Sequence, residues 1–242
     1  MGKIQIQLMD NKILHIKHLS KSFEGLNLFD DASLEISAGT INVLLGGNGS
    51  GKTTLFNMIN GYEKPDAGEI WFNGLKLHGL HEYEIARVGM GRVWQSPIVF
   101  PNHTVLDNLL ISSHERKGEN ILYCLFRYQS FVKDEKRLKS KALLLLEEIG
   151  MLSKKECLAG ELSLGEKKIL GIAMLLMNDS KLLLLDEPYS NITVLMIERI
   201  SSILKDIREQ GKTILMIEHK VMYARVIADK MYNINDKKIG AK

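Results

Sequence analysis

Apolar and polar positions change their spacing several times along the chain, and each spacing predicts a different kind of element. In Ile13-Leu14-His15-Ile16-Lys17-His18-Leu19 they alternate at a strand's period, and Ser33-Leu34-Glu35-Ile36 repeats the alternation, which predicts an antiparallel N-terminal sheet. A further strand, Glu69-Ile70-Trp71-Phe72, stands between the turns Glu63-Lys64-Pro65-Asp66-Ala67-Gly68 and Asn73-Gly74. The runs Ile41 to Leu45, Leu182 to Leu185 and Thr213 to Ile217 are almost wholly apolar, as strands buried on both faces of a parallel sheet are. Gly91-Arg92-Val93-Trp94 leads to Gln95, and Ser96-Pro97 stops that strand. From about Pro97 to Ser163 the spacing becomes helical. Thr104 is an N-cap candidate for the stretch that follows it, and Lys141 to Ile149 is leucine-rich and amphipathic. Another apolar helix runs from Ile169 to Met177. The pattern predicts an α/β chain with an inserted helical subdomain, and without repeats or coiled-coil heptads.

The loop after Ile41 to Leu45 carries the most specific chemistry. Gly46-Gly47-Asn48-Gly49-Ser50-Gly51-Lys52-Thr53 fits GxxxxGK[ST] and opens the helical stretch beginning at Thr54. Its glycines let the backbone turn with positive φ and aim successive N–H groups inward, so that an anion fits. The helix end adds partial positive charge, Lys52 can reach the β- and γ-phosphates, and the Thr53 hydroxyl is placed for Mg²⁺. This P-loop pattern by itself does not choose among kinases, GTPases and ATPases.

Two other apolar strands end in polar residues, and open α/β sheets put their ligands at the carboxyl ends of strands. Asp186-Glu187 ends one of them, with Asp186 suited to the Mg²⁺ shell and Glu187 to the attacking water. Glu218-His219 ends the other, which brings His219 to the edge of Lys52 and Glu187 as a γ-phosphate contact. His15, His18, His78, His81, His103 and His114 lack such placement and read as ordinary residues. Ser163 and Glu166 stand in capping-box spacing, which marks a capped helix start or a second phosphate-binding helix end. Phe23, in the loop from Ser20 to Gly25, either offers a face to a nucleobase or is buried packing. Tyr123-Cys124-Leu125-Phe126-Arg127-Tyr128, beside the mixed-charge run Lys133 to Lys141, reads as a small core next to a solvated face rather than a partner patch.

Composition narrows the classes further. At 242 residues and 45% hydrophobic content the chain builds one compact unit, a core with a subdomain, but hardly two P-loop domains. A net charge of +3, spread along the chain, does not imply nucleic acid. Cys124 and Cys157 lack metal-ligand spacing and follow no secretory leader, so they read as reduced cytosolic thiols. The longest apolar stretch, Ile169 to Met177, is too short to span a bilayer, so any membrane role comes through a partner.

Taken in order, these motifs resemble the nucleotide-binding subunits of ATP-binding cassette (ABC) transporters over almost the whole chain. Phe23 matches the adenine-stacking aromatic, Gly46 to Thr53 the Walker A loop, Gln95 the Q-loop glutamine, Leu162 to Glu166 the LSGGQ signature, Leu182 to Asp186 the Walker B strand, Glu187 the catalytic carboxylate and His219 the switch histidine. The resemblance implies a RecA-like P-loop core, residues 1–96 and 164–242, with an N-terminal antiparallel β-subdomain and a helical subdomain at 97–163, all in one ABC ATPase domain. It implies ATP held by Phe23, the loop from Gly46 through Thr54 and, from a second subunit, Ser163 and Gly165. Mg²⁺ would be held at Thr53, Gln95 and Asp186, and catalysis would fall to Lys52, Gln95, Glu187 and His219.

Two such subunits, alike or different, would sandwich two ATP molecules and drive permease subunits from the inner, cytoplasmic face of the membrane. Phe23-Glu24-Gly25-Leu26, Gly160 to Glu166, Ile217-Glu218-His219 and the insert around Glu115 to Lys141 look most like ATPase subunits of importers for branched-chain or other hydrophobic amino acids. Urea transport and lipid export share much of the pattern. Leu164 and Glu166 depart from the signature's Gly and Gln, and Thr193 from the usual Asp, which keeps open a hydrolysis-poor regulatory subunit. A small-molecule P-loop kinase should lack the signature-like segment, and a translation or DNA-repair cassette protein should carry two cassettes or a long coiled coil.

Overall fold

The computed structural model describes residues 11–23, 25–114 and 128–241, which form two compact units. One comprises the chain up to Gln95, Lys181–Ser190 and the chain from Val194 on; the other comprises Ser96–Ser180 with Asn191–Thr193.

The first unit holds both sheets. Strands β1 (Lys12–Phe23) and β2 (Leu26–Ser37) pair antiparallel, β1 also pairs with β4 (Ala67–Phe72), and β5 (Leu75–Lys76) closes a sheet of order β2-β1-β4-β5. The β4–β5 hairpin turns through Asn73 and Gly74 at φ 48° and 77°, the paired positive values that a tight hairpin turn requires. Strand β1 runs to Phe23 rather than ending at Leu19, because bulges let its polar end keep pairing as far as Phe23 opposite Leu26. Phe23 therefore ends a strand, where the sequence suggests a loop.

The second sheet consists of β3 (Ile41–Leu45), β6 (Met90–Val93), β7 (Leu182–Asp186), β8 (Thr213–Ile217), β9 (Lys230–Asn235) and β10 (Lys238–Ala241), in the order β10-β9-β3-β8-β7-β6. Only β10 runs antiparallel to its neighbour. Every residue of β3, β7 and β8 is buried, as their apolar runs predict. Helix α1 (Lys52–Ile59) sets Leu55, Phe56 and Ile59 into a core that includes Ile16, Phe29, Leu44, Leu184 and Leu215. Helix α2 is Glu82–Arg87. Because β3, β8, β7 and β6 are adjacent and parallel, the residues beyond their carboxyl ends share one edge.

In the second unit α3 (Val105–Ser112) begins at a capping box, the Thr104 hydroxyl accepting from the Asp107 N–H at 3.0 Å. Helix α4 (Tyr128–Glu148) includes the amphipathic stretch at Lys141, and α5 (Leu164–Met177) packs against both α3 and α4. That packing carries the helical unit on to Ser180, where the sequence pattern ends it at Ser163. Helices α6 (Val194–Glu209) and α7 (Val221–Ile227) return the chain to the first unit; α6 buries Ile197, Ile200, Leu204 and Ile207 along one stripe. Among the described residues no helix is long and apolar enough to cross a membrane.

Candidate functional site

The P-loop leaves β3 through a backbone that side chains would obstruct. Gly51, the N-cap of α1, has φ 95°, and a Cβ there would lie 2.9 Å from the Phe29 ring; at Gly46, with φ 156°, it would lie 2.5 Å from Ser50 Oγ. Gly47, Asn48 and Gly49 are exposed, so the loop stands open to solvent. Lys52 Nζ folds back to donate to the carbonyls of Gly46 at 2.9 Å and Gly47 at 2.8 Å. Burial pulls that ammonium below the ordinary lysine value, and the charges of Glu187 and Asp186 oppose the shift. Ser50 Oγ is buried without a hydrogen-bond partner among the described residues, a polar atom that a ligand in the loop would satisfy. Thr53 is exposed in the first turn of α1, and Thr54 behind it is half-buried.

Across the edge, Glu187 follows β7 with φ 48°, a left-handed conformation that costs a non-glycine residue about 1–3 kcal/mol. Its carboxylate is held from both sides: Gln95 Nε2 donates to Oε2 at 2.7 Å, and His219 Nε2 lies 3.1 Å from Oε1. Asp186, 8% exposed, accepts from Arg92 Nη2 at 2.8 Å. Adjacent strand ends thus bring Lys52, Gln95, Asp186, Glu187 and His219 to one edge.

Two residues here were not foreseen. Glu218, 2% exposed, accepts from the Tyr189 N–H at 2.6 Å through Oε1 and from the His219 and Lys220 N–H groups at 3.0 and 3.3 Å through Oε2. It joins the segment after β7 to the segment after β8. Arg92 is the other. Burial pulls its guanidinium below the ordinary value, against the opposing pull of Asp186. The available signal was a lone cation inside a short strand.

Phe23 is not buried packing: the residue is 41% exposed, with Lys21 Nζ 4.7 Å from the ring centroid. Lys21 is itself anchored on Glu63, Asp66 and the Lys64 carbonyl. In the helical unit Ser163 caps α5 by accepting from the Glu166 N–H, and its hydroxyl donates to Glu166 Oε2 at 2.9 Å. Burial raises the Glu166 carboxyl, but hydrogen bonds from Lys154 and Ser163 outweigh it and hold the group below the usual carboxylate range. Gly165 is buried in the first turn. Of the remaining histidines, His15 pairs with Glu35, His18 with Asp31, and His81 is the N-cap residue of α2. Cys157 is a free, half-buried thiol. Cys124 and its aromatic neighbours Tyr123 and Phe126 lie outside the described residues, as does the side chain of Tyr128.

Comparison with known proteins bears on the family and the fold. The family model described as ABC transporter matches residues 29–190. The probable branched-chain amino acid transport ATP-binding protein LivG of Archaeoglobus fulgidus is 32% identical over 221 residues, covering 91% of this chain and 85% of that protein. The high-affinity branched-chain amino acid transport ATP-binding protein LivG of Escherichia coli K12 is 31% identical over 228 residues, 94% of this chain and 89% of that one. Among solved structures, the ADP conformation of an ATP-binding cassette of an ABC transporter superposes with a TM-score of 0.82 at 30% identity, over 95% of this chain and 89% of that one. A nucleotide-free cassette gives 0.80 at 30% identity, over 94% and 89%. The P-loop, the paired carboxylates beside it and these likenesses lead to one conclusion: the chain belongs to the ABC transporter family, as one of its ATP-binding and ATP-hydrolysing subunits.

Proposed function

We propose that this subunit hydrolyses ATP at the shared edge of β3, β8, β7 and β6 and thereby powers movement of branched-chain or other hydrophobic amino acids through partner membrane subunits. The observation that carries the site is the convergence of Lys52, Gln95, Asp186, Glu187 and His219 on that edge. The solute class is supported by relatives named for branched-chain amino acid transport at 31% and 32% identity. The subunit works in the cytoplasm, docked peripherally on the inner face of the membrane.

ATP lies along the loop from Gly46 to Thr54, its phosphates on the inward N–H groups and on Lys52, which exchanges the Gly46 and Gly47 carbonyls for them. Phe23 offers its exposed ring to adenine. Mg²⁺ fits the donors on this edge, which are oxygens of Thr53, Asp186 and Gln95, and when bound it neutralises charge on the transferring phosphoryl group. Glu187 orients a water and takes its proton as the water oxygen bonds to the γ-phosphorus and the bond to the bridging oxygen of ADP breaks. Gln95 and His219 each engage one carboxylate oxygen, and a carboxylate accepts at about four lone-pair sites, so a water can bond Glu187 beside them. His219 then steadies the γ-phosphate.

A second cassette, identical or homologous, completes the site by presenting Ser163 and Gly165 to this nucleotide. Ser163 must release Glu166 to do so, and Lys154 keeps the charge of Glu166 balanced. Thr193 supplies none of the charge an Asp would, so turnover by the isolated subunit is low. Equilibrium binding of a fluorescent ATP analogue and steady-state hydrolysis test the site. Lys52→Ala should lose most of the affinity, whereas Glu187→Gln should keep it and hydrolyse about 10²- to 10⁴-fold more slowly. A Glu187→Gln rate within a few fold of wild type refutes the assignment. Co-purified membrane subunits, reconstituted in vesicles, should take up leucine or valine only with ATP.

A further inference from the structure

The Arg92 side chain is 2% exposed, and that of its partner Asp186 is 9%. Its fork divides between two elements: Nη2 donates to Asp186 Oδ2 at 2.8 Å, and Nη1 to Asn57 Oδ1 on α1 at 2.7 Å. The guanidinium carbon lies 3.7 Å from the centroid of the Trp94 ring and 5.5 Å from that of Phe56, and Nε is buried without a partner among the described residues. Two aromatic rings and two hydrogen bonds leave this cation nowhere to move.

A pair buried so deeply is a poor device for stability, since two charges taken out of water recover that cost only with excellent geometry and an apolar pair of equal volume serves as well. What the arrangement does supply is orientation. A bidentate, stacked guanidinium is a rigid reference in a way an ammonium is not. It rests against α1, which the P-loop opens, and stacks on the residue just before Gln95.

We infer that Arg92 is a positioning residue for the metal-side carboxylate: by holding Oδ2 of Asp186 it presents Oδ1 to the divalent cation that accompanies the nucleotide, and through Trp94 it couples that carboxylate to the segment carrying Gln95. This rests on Asp186 serving the cation's shell, and the controls separate the two ideas.

The full chain carrying Glu187→Gln, which spares bound nucleotide, is titrated with a fluorescent ATP analogue in excess EDTA and again in Mg²⁺. Adding Arg92→Met should cut the metal-promoted gain in affinity at least tenfold while affinity in EDTA stays within twofold, because Lys52 and the loop amides are untouched. Arg92→Lys should recover part of the gain, as one ammonium can pair with Asp186 but cannot also reach Asn57 and lie flat on Trp94. If Arg92→Met does not fold, Asn57→Ala loosens one anchor and should lower the gain two- to fivefold. An undiminished gain in these variants beside a lost gain in Asp186→Asn overturns the inference, and so does equal loss with and without metal. A gain that survives Asp186→Asn overturns instead the assignment of Asp186.

Discussion

At Gly51 the fold depends on the absence of a side chain. A φ of 95° costs an L-residue about 1–2 kcal/mol, and here a Cβ would also press to 2.9 Å from the Phe29 ring. Gly51→Ala should therefore lower the melting temperature and weaken ATP binding at least tenfold, since the displaced backbone carries the phosphate-facing N–H groups. Calorimetry and analogue titration check both. Single residues of this kind were legible because glycine spacing and the Lys52-Thr53 pair name their chemistry directly. Arg92 and Glu218 were not, because a buried charge is defined by partners far off in the chain. Asp186 is Arg92's partner by virtue of β6 lying beside β7, and Tyr189 is Glu218's because β7 lies beside β8.

The element that most needs such a partner is the segment between β8 and α7. His219 is 43% exposed at its side chain and has little packing of its own, yet the Glu218 carboxylate beneath it takes three backbone N–H groups. Glu218→Gln replaces one acceptor oxygen by a donor facing donors, which leaves buried groups unsatisfied at a cost of about 1–3 kcal/mol. Hydrolysis should fall at least tenfold in kcat while KM for ATP moves less than threefold, because the P-loop is untouched. In a His219→Ala background the same change should cost less kcat than in wild type, the remainder acting through the Tyr189 N–H near Glu187, and a steady-state double-mutant cycle reads that directly. Element type and capping were legible on either side of this segment: the apolar run became β8, and the Ser163 to Glu166 spacing became a capping box. The lengthening of β1 to Phe23 was not, since polar Ser20-Lys21-Ser22 pair through their backbone.

At the scale of the whole molecule the prediction concerns assembly. A nucleotide-dependent sandwich predicts that Glu187→Gln is monomeric without ATP and dimeric with it by light scattering. Ser163→Arg, added to that variant, should return it to monomer by blocking the contact across the interface. A monomer in the first sample, or a dimer surviving in the second, contradicts the sandwich. The departures at Leu164, Glu166 and Thr193 should weaken closure less than they weaken its coupling to hydrolysis, because Ser163 keeps an exposed hydroxyl at the helix N-cap.

Local order along the chain determined the kinds of element, the phosphate-binding loop and the candidate side chains at the strand ends, because periodicity, glycine spacing and capping act over a few residues and need no distant partner. Tertiary structure decided which ends became neighbours. The strand order β3-β8-β7-β6 brings residues 46, 95, 187 and 219 together, and no local pattern encodes that order. It also decided that Arg92 orients against Asp186, that Glu218 joins two loops, and that α5 packs with the helices before it, since each of these rests on burial shared between segments far apart in the chain.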